Sequence, residues 1–226
     1  MKCIVLSSGG LDSTVTVAIA KSLGYEIYSL SFDYEQRHKI EIHCAEKVAE
    51  YFKVKQHFIL KLPIGEIGGS ALTDNNIDIP EGKINTTDIP VTYVPGRNIV
   101  FLSFAVSLGE VLEAYDIFIG VNAVDYSGYP DCRPEFIESF QKTVNLGTKT
   151  GVTGKKFKII TPLINLSKKE IILKGKELGV DFSITNSCYN PNSKGEACGK
   201  CDSCLLRLKG FKDAGLIDPL KYSCHK

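Results

Sequence analysis

No window of the 226-residue chain holds the roughly 18 consecutive apolar residues of a membrane-spanning helix. No run of five basic residues exists. Charge of one sign is not in excess either: 27 Lys and Arg face 26 Asp and Glu, for a net charge of +1. That balance excludes a broad attraction to polyanions, so neither a membrane nor direct contact with nucleic acid is expected. A secretory leader needs about 7–15 apolar residues before a small-residue cleavage site. None stands near the start, where MKCIVLSSGGLDS enters a strand-like pattern at once. The expected location is cytoplasmic. Internal repeats and low-complexity tracts are missing too. What remains is ordinary globular composition, 43% hydrophobic and 23% charged, with enough chain for one core or one core plus an appendage.

Strands alternate with helices along the chain. Lys2–Ser7, Glu26–Phe32, Val54–Leu62, Tyr115–Val121 and Phe157–Leu163 read as strands. Between them, Asp12–Leu23 reads as a helix stopped by Gly24. Ile40, Cys44, Val48 and Phe52 mark one apolar stripe, and Asn98–Glu113 and Glu135–Leu146 are further helices. Ser167–Leu178 follows, closed by Gly179. This alternation predicts an α/β fold, an open doubly wound parallel sheet of about five strands. Ligands in such a sheet bind beyond the C-terminal strand ends, where the strand order reverses. The expected division is an α/β domain over residues 1–166 and a small helical segment over 167–226, whose nucleotide-binding and zinc-binding roles rest on the motifs read below. Pro63–Thr92 has no period, and a loop of that length is expected to be a functional flap or a disordered stretch.

SSGGLDST (Ser7–Thr14) lies between the first strand and the first helix. Two glycines permit a tight turn and close backbone approach to a ligand. The amides of Gly9 to Asp12 then face a phosphate at the positive helix end, and Ser8 and Ser13 add hydroxyls. Leu11 and Thr14 complete the candidate nucleotide loop. It is not a Walker A loop, because no GK[ST] ending supplies a lysine, and it is not GxGxxG. SGG-x-DS resembles the signature of the PP-loop ATP pyrophosphatases. That resemblance implies ATP held by its pyrophosphate, an α-phosphate open to a substrate oxygen, and Mg²⁺ near Asp12.

Three polar clusters follow strands: Phe32–Ile42, Val94–Ala105 and Gly120–Ile137. They supply Gln36, Arg37 and His38, then Arg97 and Asn98, then Asn122, Asp125, Tyr126, Tyr129, Asp131, Arg133 and Glu135. Asp125, Asp131 or Glu135 could accept from purine-like N–H groups, and Arg97 or Arg133 could hold a carboxylate or the α-phosphate. Tyr129 could stack on a base, and His38 could move a proton. Plainer roles stand beside these: Asp131, Arg133 and His38 as helix caps, Tyr129 as a turn residue. "Y-x-Q-R-H", "VPGRN" and "SGYPDCR", with the first loop and a terminal CxxCxxC, together resemble the 7-cyano-7-deazaguanine synthase family over nearly the whole chain. Where that family usually has Gly between Tyr and Gln, this chain has Glu35. The resemblance implies conversion of 7-carboxy-7-deazaguanine and ammonia to the nitrile, with ATP, on the route to queuosine. It also implies a homodimer. A tRNA-modifying adenylating enzyme of the same superfamily, and a non-catalytic nucleotide-binding zinc protein, are the rival readings.

Four of the eight cysteines are clustered: Cys188, Cys198, Cys201 and Cys204. In a reducing compartment such spacing indicates a metal before a disulfide. Four thiolates complete a closed tetrahedral zinc site with a structural role, with an iron–sulfur cluster as the alternative. A helix over Ser203–Ala214 should begin on this site, with Arg207 and Lys209 exposed.

Overall fold

The computed structural model describes residues 1–82, 89–122 and 128–223. Five strands form one sheet in the order β3-β2-β1-β4-β5. They are β1 (Lys2–Leu6), β2 (Glu26–Asp33), β3 (Gln56–Lys61), β4 (Asp116–Phe118) and β5 (Lys158–Ile160). Every pairing is parallel. The order turns back between β1 and β4, so the switch point lies at their C-terminal ends, where the glycine-rich turn leaves β1. β4 and β5 pair over three residues each, fewer than their apolar runs suggested. The backbone is still held past the ladder, where Ile119 N donates to Ile160 O at 3.0 Å.

The helices are α1 (Leu11–Ser22), α2 (Ile40–Tyr51), α3 (Arg97–Leu112), α4 (Pro134–Gly147), the short α5 (Lys149–Val152), α6 (Lys168–Glu177) and α7 (Asp202–Asp213). α6 starts with a capping box between Ser167 and Glu170. Its chain reverses at Gly179, whose φ of +74° suits glycine. β1 is buried on both faces. Its Ile4 and Leu6 join Leu102, Val106 and Ile137 on one side. Cys3 and Val5 join Val15, Ile171, Ile172 and Phe211 on the other. Alternate side chains of a strand point to opposite faces, so a parallel strand between two helical layers must be apolar throughout.

The segment after β3 is not a free flap in its described part. Ile64, Ala71, Leu72 and Ile79 enter the core beside Leu102. Gly82 N donates to Lys200 O at 3.0 Å, and Glu81 bridges Cys201. Its apolar residues come singly between turns, so burial leaves no periodic trace in the sequence. Residues 83–88 of this segment lie outside the described residues. Among those described, no helix is long and apolar enough to cross a membrane.

Candidate active site

The turn after β1 is fixed from three sides. Gly9 has φ +74°. A methyl group there would lie 2.5 Å from Ala45 N and within the radius of Glu41 O, so α2 seats its first turns directly on this glycine. Inside the turn, three amides are held by hydroxyls: Ser8 N by Ser13 Oγ at 3.2 Å, Gly10 N by Ser8 Oγ at 3.3 Å, and Leu11 N by Ser187 Oγ at 3.1 Å. Thr14 Oγ1 donates to Gly10 O at 2.8 Å. Amides gathered at a helix N-terminus favour an anion, and the hydroxyls occupy them as neutral acceptors. Ser187 comes from the far end of the chain, and its neighbour Asn186 donates from N to Gly9 O at 3.0 Å.

Asp12 opens α1 and is engaged on one oxygen only. Its Oδ2 accepts from Lys168 Nζ at 2.6 Å and from Asn122 Nδ2 at 3.2 Å. Its Oδ1 is buried with no hydrogen-bond partner among the described residues. Lys168 is the first residue of α6, so the cation that the turn lacks comes from the start of that helix.

A cavity of about 240 Å³ opens from this turn across the C-terminal ends of β1, β2 and β4. Of the expected residues, Ser8, Gly10, Leu11, Asp12 and Ser13 line it, as do Gln36, Arg97, Asn98 and Tyr129. Phe32 and Phe101 stack in its wall at 4.0 Å between centroids, with Tyr34 tilted against Phe101. The Arg97 guanidinium lies close enough to the Tyr34 phenol for the two to interact electrostatically. Burial pulls the Arg97 pKa down, but Tyr34, Cys132, Tyr189 and Asp131 outweigh that and raise it. Burial lifts the Tyr34 phenol to about 12. Burial likewise holds the Glu41 carboxyl at about 7, against the pull of Arg97. Glu41 and Arg97 are each only part-covered, because one side of each faces the cavity.

Other expected residues stand behind this surface. Gln36 closes its own turn, Oε1 accepting from Tyr34 N at 2.8 Å. Arg37 donates to the carbonyls of Asp74 and Ile77 and so pins the segment after β3. His38 lies against the backbone of Cys188 and Tyr189, with a pKa lowered by burial. Asp131 caps α3, not the following helix: its Oδ2 accepts from Asn98 N at 2.9 Å. Arg133 is the exposed N-cap residue of α4 and makes no side-chain capping bond. Glu135 is exposed as well. Asp125 and Tyr126 lie outside the described residues. Glu41, Lys168 and Ser187 were not anticipated from the sequence. Lys168 had a usable signal, since it follows a strand end; Glu41 looked like one more polar residue of a striped helix.

The four clustered cysteines are buried, with all their Sγ atoms within 4.8 Å of one another. A tetrahedral site with bonds of about 2.3 Å spaces its sulfurs about 3.8 Å apart, so the set is sized for one ion. Backbone amides point at the sulfurs: Asn190 N and Cys198 N at Cys188, at 3.3 and 3.2 Å, and Cys201 N at Cys198, at 3.4 Å. Beside Cys188 and Cys204, the Cys201 thiol is held below its ordinary pKa. Four soft donors with no open position fit a structural metal. Arg207 of α7 is buried, contrary to the exposed position expected of it. Its Nε and Nη2 grip Asp218 at 2.8 and 2.9 Å, and Nη1 donates to Thr185 at 2.7 Å. Periodicity marks a helical face but cannot announce a buried acid eleven residues ahead. Lys209 is exposed as expected.

An all-parallel sheet with a Ser-Gly-Gly turn at its switch point, an acid opening the helix and an adjoining cavity define a PP-loop ATP pyrophosphatase-type α/β protein. A family model described as Queuosine biosynthesis protein QueC matches residues 2–215, and the chain belongs to that family. It is 61% identical over 221 residues to a 7-cyano-7-deazaguanine synthase of Acetivibrio thermocellus, covering 98% of this chain and 97% of that one. It is 58% identical over 222 residues to the synthase of Saccharophagus degradans, covering 98% of each. Among solved structures, NMN synthetase from Francisella tularensis shares the fold at a TM-score of 0.52 and 16% identity, over 96% of this chain and 77% of that one.

Proposed function

We propose that this chain makes 7-cyano-7-deazaguanine from 7-carboxy-7-deazaguanine, ammonia and ATP, in queuosine biosynthesis. The observation that carries the reading is identity above 60% with a synthase of that name over nearly its whole length. The cavity at the glycine-rich turn is consistent with it. A ring-conjugated carboxylate is a poor electrophile. Its oxygen attacks the α-phosphorus of ATP, and pyrophosphate leaves into the amides of Gly9 to Asp12. Ammonia then displaces AMP to give the amide. The amide oxygen attacks a second ATP, and loss of AMP with two N–H protons leaves the nitrile. Both substrate oxygens end in AMP.

The chain's own residues supply positions and charges. Lys168 and the helix end stabilise the departing pyrophosphate once Asp12 yields the lysine. Mg²⁺ would relieve repulsion among phosphates, and Asp12 Oδ1, buried with no hydrogen-bond partner among the described residues, supports Asp12 as the residue that would hold it. Zinc would lock Cys188, Cys198, Cys201 and Cys204 as a structural cross-link. A second copy of this chain is the proposed partner. The apolar Phe104 and Val111, exposed on α3, support that. We place the enzyme in the cytoplasm, acting on the small molecule and not on nucleic acid.

Incubation with ATP, ammonia and the acid labelled with oxygen-18 in its carboxylate tests the mechanism. The amide should appear first, the nitrile second, and the label in AMP. Accumulation of ADP, with label in inorganic phosphate, would refute the adenylation route.

A further inference from the structure

The cavity is lined by few charged groups, and most are already committed. Among the described residues lining it, Asp12 and Glu41 are the acids, and Arg97, Lys168 and Arg207 the bases. Asp12 and Lys168 hold each other at 2.6 Å. Arg207 is locked on Asp218. That leaves Glu41 and Arg97. They feel each other electrostatically, yet among the described residues they form no ion pair within 4 Å, and Arg97 is turned to Tyr34. A half-buried carboxylate with no protein donor is costly unless a ligand brings one. The helix dipole favours an acid in the first turn of α2 but does not require its carboxylate to face a cavity.

We propose that Glu41 selects the guanine-type ring, its carboxylate accepting from the ring N–H and the exocyclic amino group while Arg97 takes the acidic substituent. This rests on the function proposed above. Such a ring presents two adjacent donors on one edge and a negative group on another. The cavity presents an acceptor pair and a guanidinium, with Phe101, Tyr34 and Tyr129 as flat apolar walls between. A carboxylate meets two parallel N–H donors with two oxygens, a geometry that glutamine cannot copy without turning its own amide donor toward them. Glu41 therefore replaces Asp131, whose oxygen is spent on α3, as the acid that reads the base.

Steady-state kinetics of Glu41→Gln, with each substrate varied in turn, test the assignment. KM for the acid should rise roughly 10–100-fold, the range expected when charge-assisted hydrogen bonds are lost, and KM for ATP should stay within twofold. A second measurement needs no variant. The substrate analogue lacking the exocyclic amino group should bind the wild-type protein at least tenfold more weakly than the acid itself, by calorimetric titration. In Glu41→Gln that discrimination should collapse. If KM for ammonia rises while KM for the acid holds, Glu41 serves the nucleophile and the assignment is wrong. Equal binding of the two rings by the wild type also overturns it. If wild-type protein makes no nitrile at all, the parent function fails and this assignment falls with it.

Discussion

Replacing Glu41 by Gln should make the protein more stable, by a margin that opens above about pH 5 and levels off above about pH 7. Burial holds this carboxyl at about 7 against an ordinary 4.5. The native state thus keeps a proton that the unfolded chain gives up, so stability falls as pH rises between those values. The contribution is intact below pH 4.5 and gone above pH 7. The whole gap corresponds to roughly 3 kcal/mol. One effect opposes it. Glu41 lies in the first turn of α2, where a negative charge gains about 0.3–1 kcal/mol from the helix dipole, and Gln forfeits that. The balance at pH 8 is about 2–3 kcal/mol in favour of Gln. For a chain of this length that is a rise of roughly 5–10 °C in Tm. Melting curves of both proteins from pH 5 to 8.5 read it directly. Histidines that titrate in this window are present in both proteins and cancel in the difference. At pH 5 the two should melt within a few degrees, and the gap should open through pH 7. A gap independent of pH, or a variant less stable at pH 8, would refute the reasoning. A wild-type residue that costs stability in this way is the mark of a site kept for binding.

The two glycines of the turn should behave differently. Gly9→Ala combines a left-handed backbone with a clash against the backbone of α2, and should cost about 3 kcal/mol or more, seen as loss of folded protein. Gly10→Ala meets the hydroxyls of Ser187 and Ser8 at 3.1 and 3.3 Å, and the Asn186 carbonyl at an ordinary 3.8 Å, so it should fold while losing turnover. Cys201→Ser should lower metal content and Tm together, with a loss of several kcal/mol of folding stability, before it touches chemistry; unchanged Tm with lost activity would indicate a metal that takes part in the reaction. Glu35 has φ +64°, and Glu35→Gly should gain about 0.5–1 kcal/mol by urea titration, as relief of left-handed strain exceeds the entropy of glycine.

The fold was legible because both of its signals are local. A parallel strand buried on both faces has little room for charge, so Lys2–Leu6 and Glu26–Asp33 stand out as runs whose interior holds only apolar, aromatic and serine residues, and Ser167 with Glu170 marks a helix start. The glycine-rich turn was legible for the same reason, being one short segment. The rest of the site is assembled from distant pieces. Lys168 reaches Asp12 across 156 residues and Ser187 reaches Leu11 across 176. Lys168 had only its place after a strand to point to the site, and nothing in the sequence near Ser187 records its meeting with Leu11. Asp131 shows the converse. It was rightly suspected as a cap, but of the helix next to it in sequence, whereas it caps the one next to it in space.

Ser187 and Asn186 bind the turn after β1, and Cys188 is the very next residue, so a thermodynamic square closes around the two ends of the chain. Whatever fixes Cys188 also fixes the hydroxyl on Leu11 N and the amide on Gly9 O. A metal held by the cysteines and a nucleotide held by the turn would then raise each other's affinity by one and the same factor. Stripping the metal with a chelator should therefore become harder as ATP is added, and a protein starved of metal should lose its grip on nucleotide before it loses its sheet.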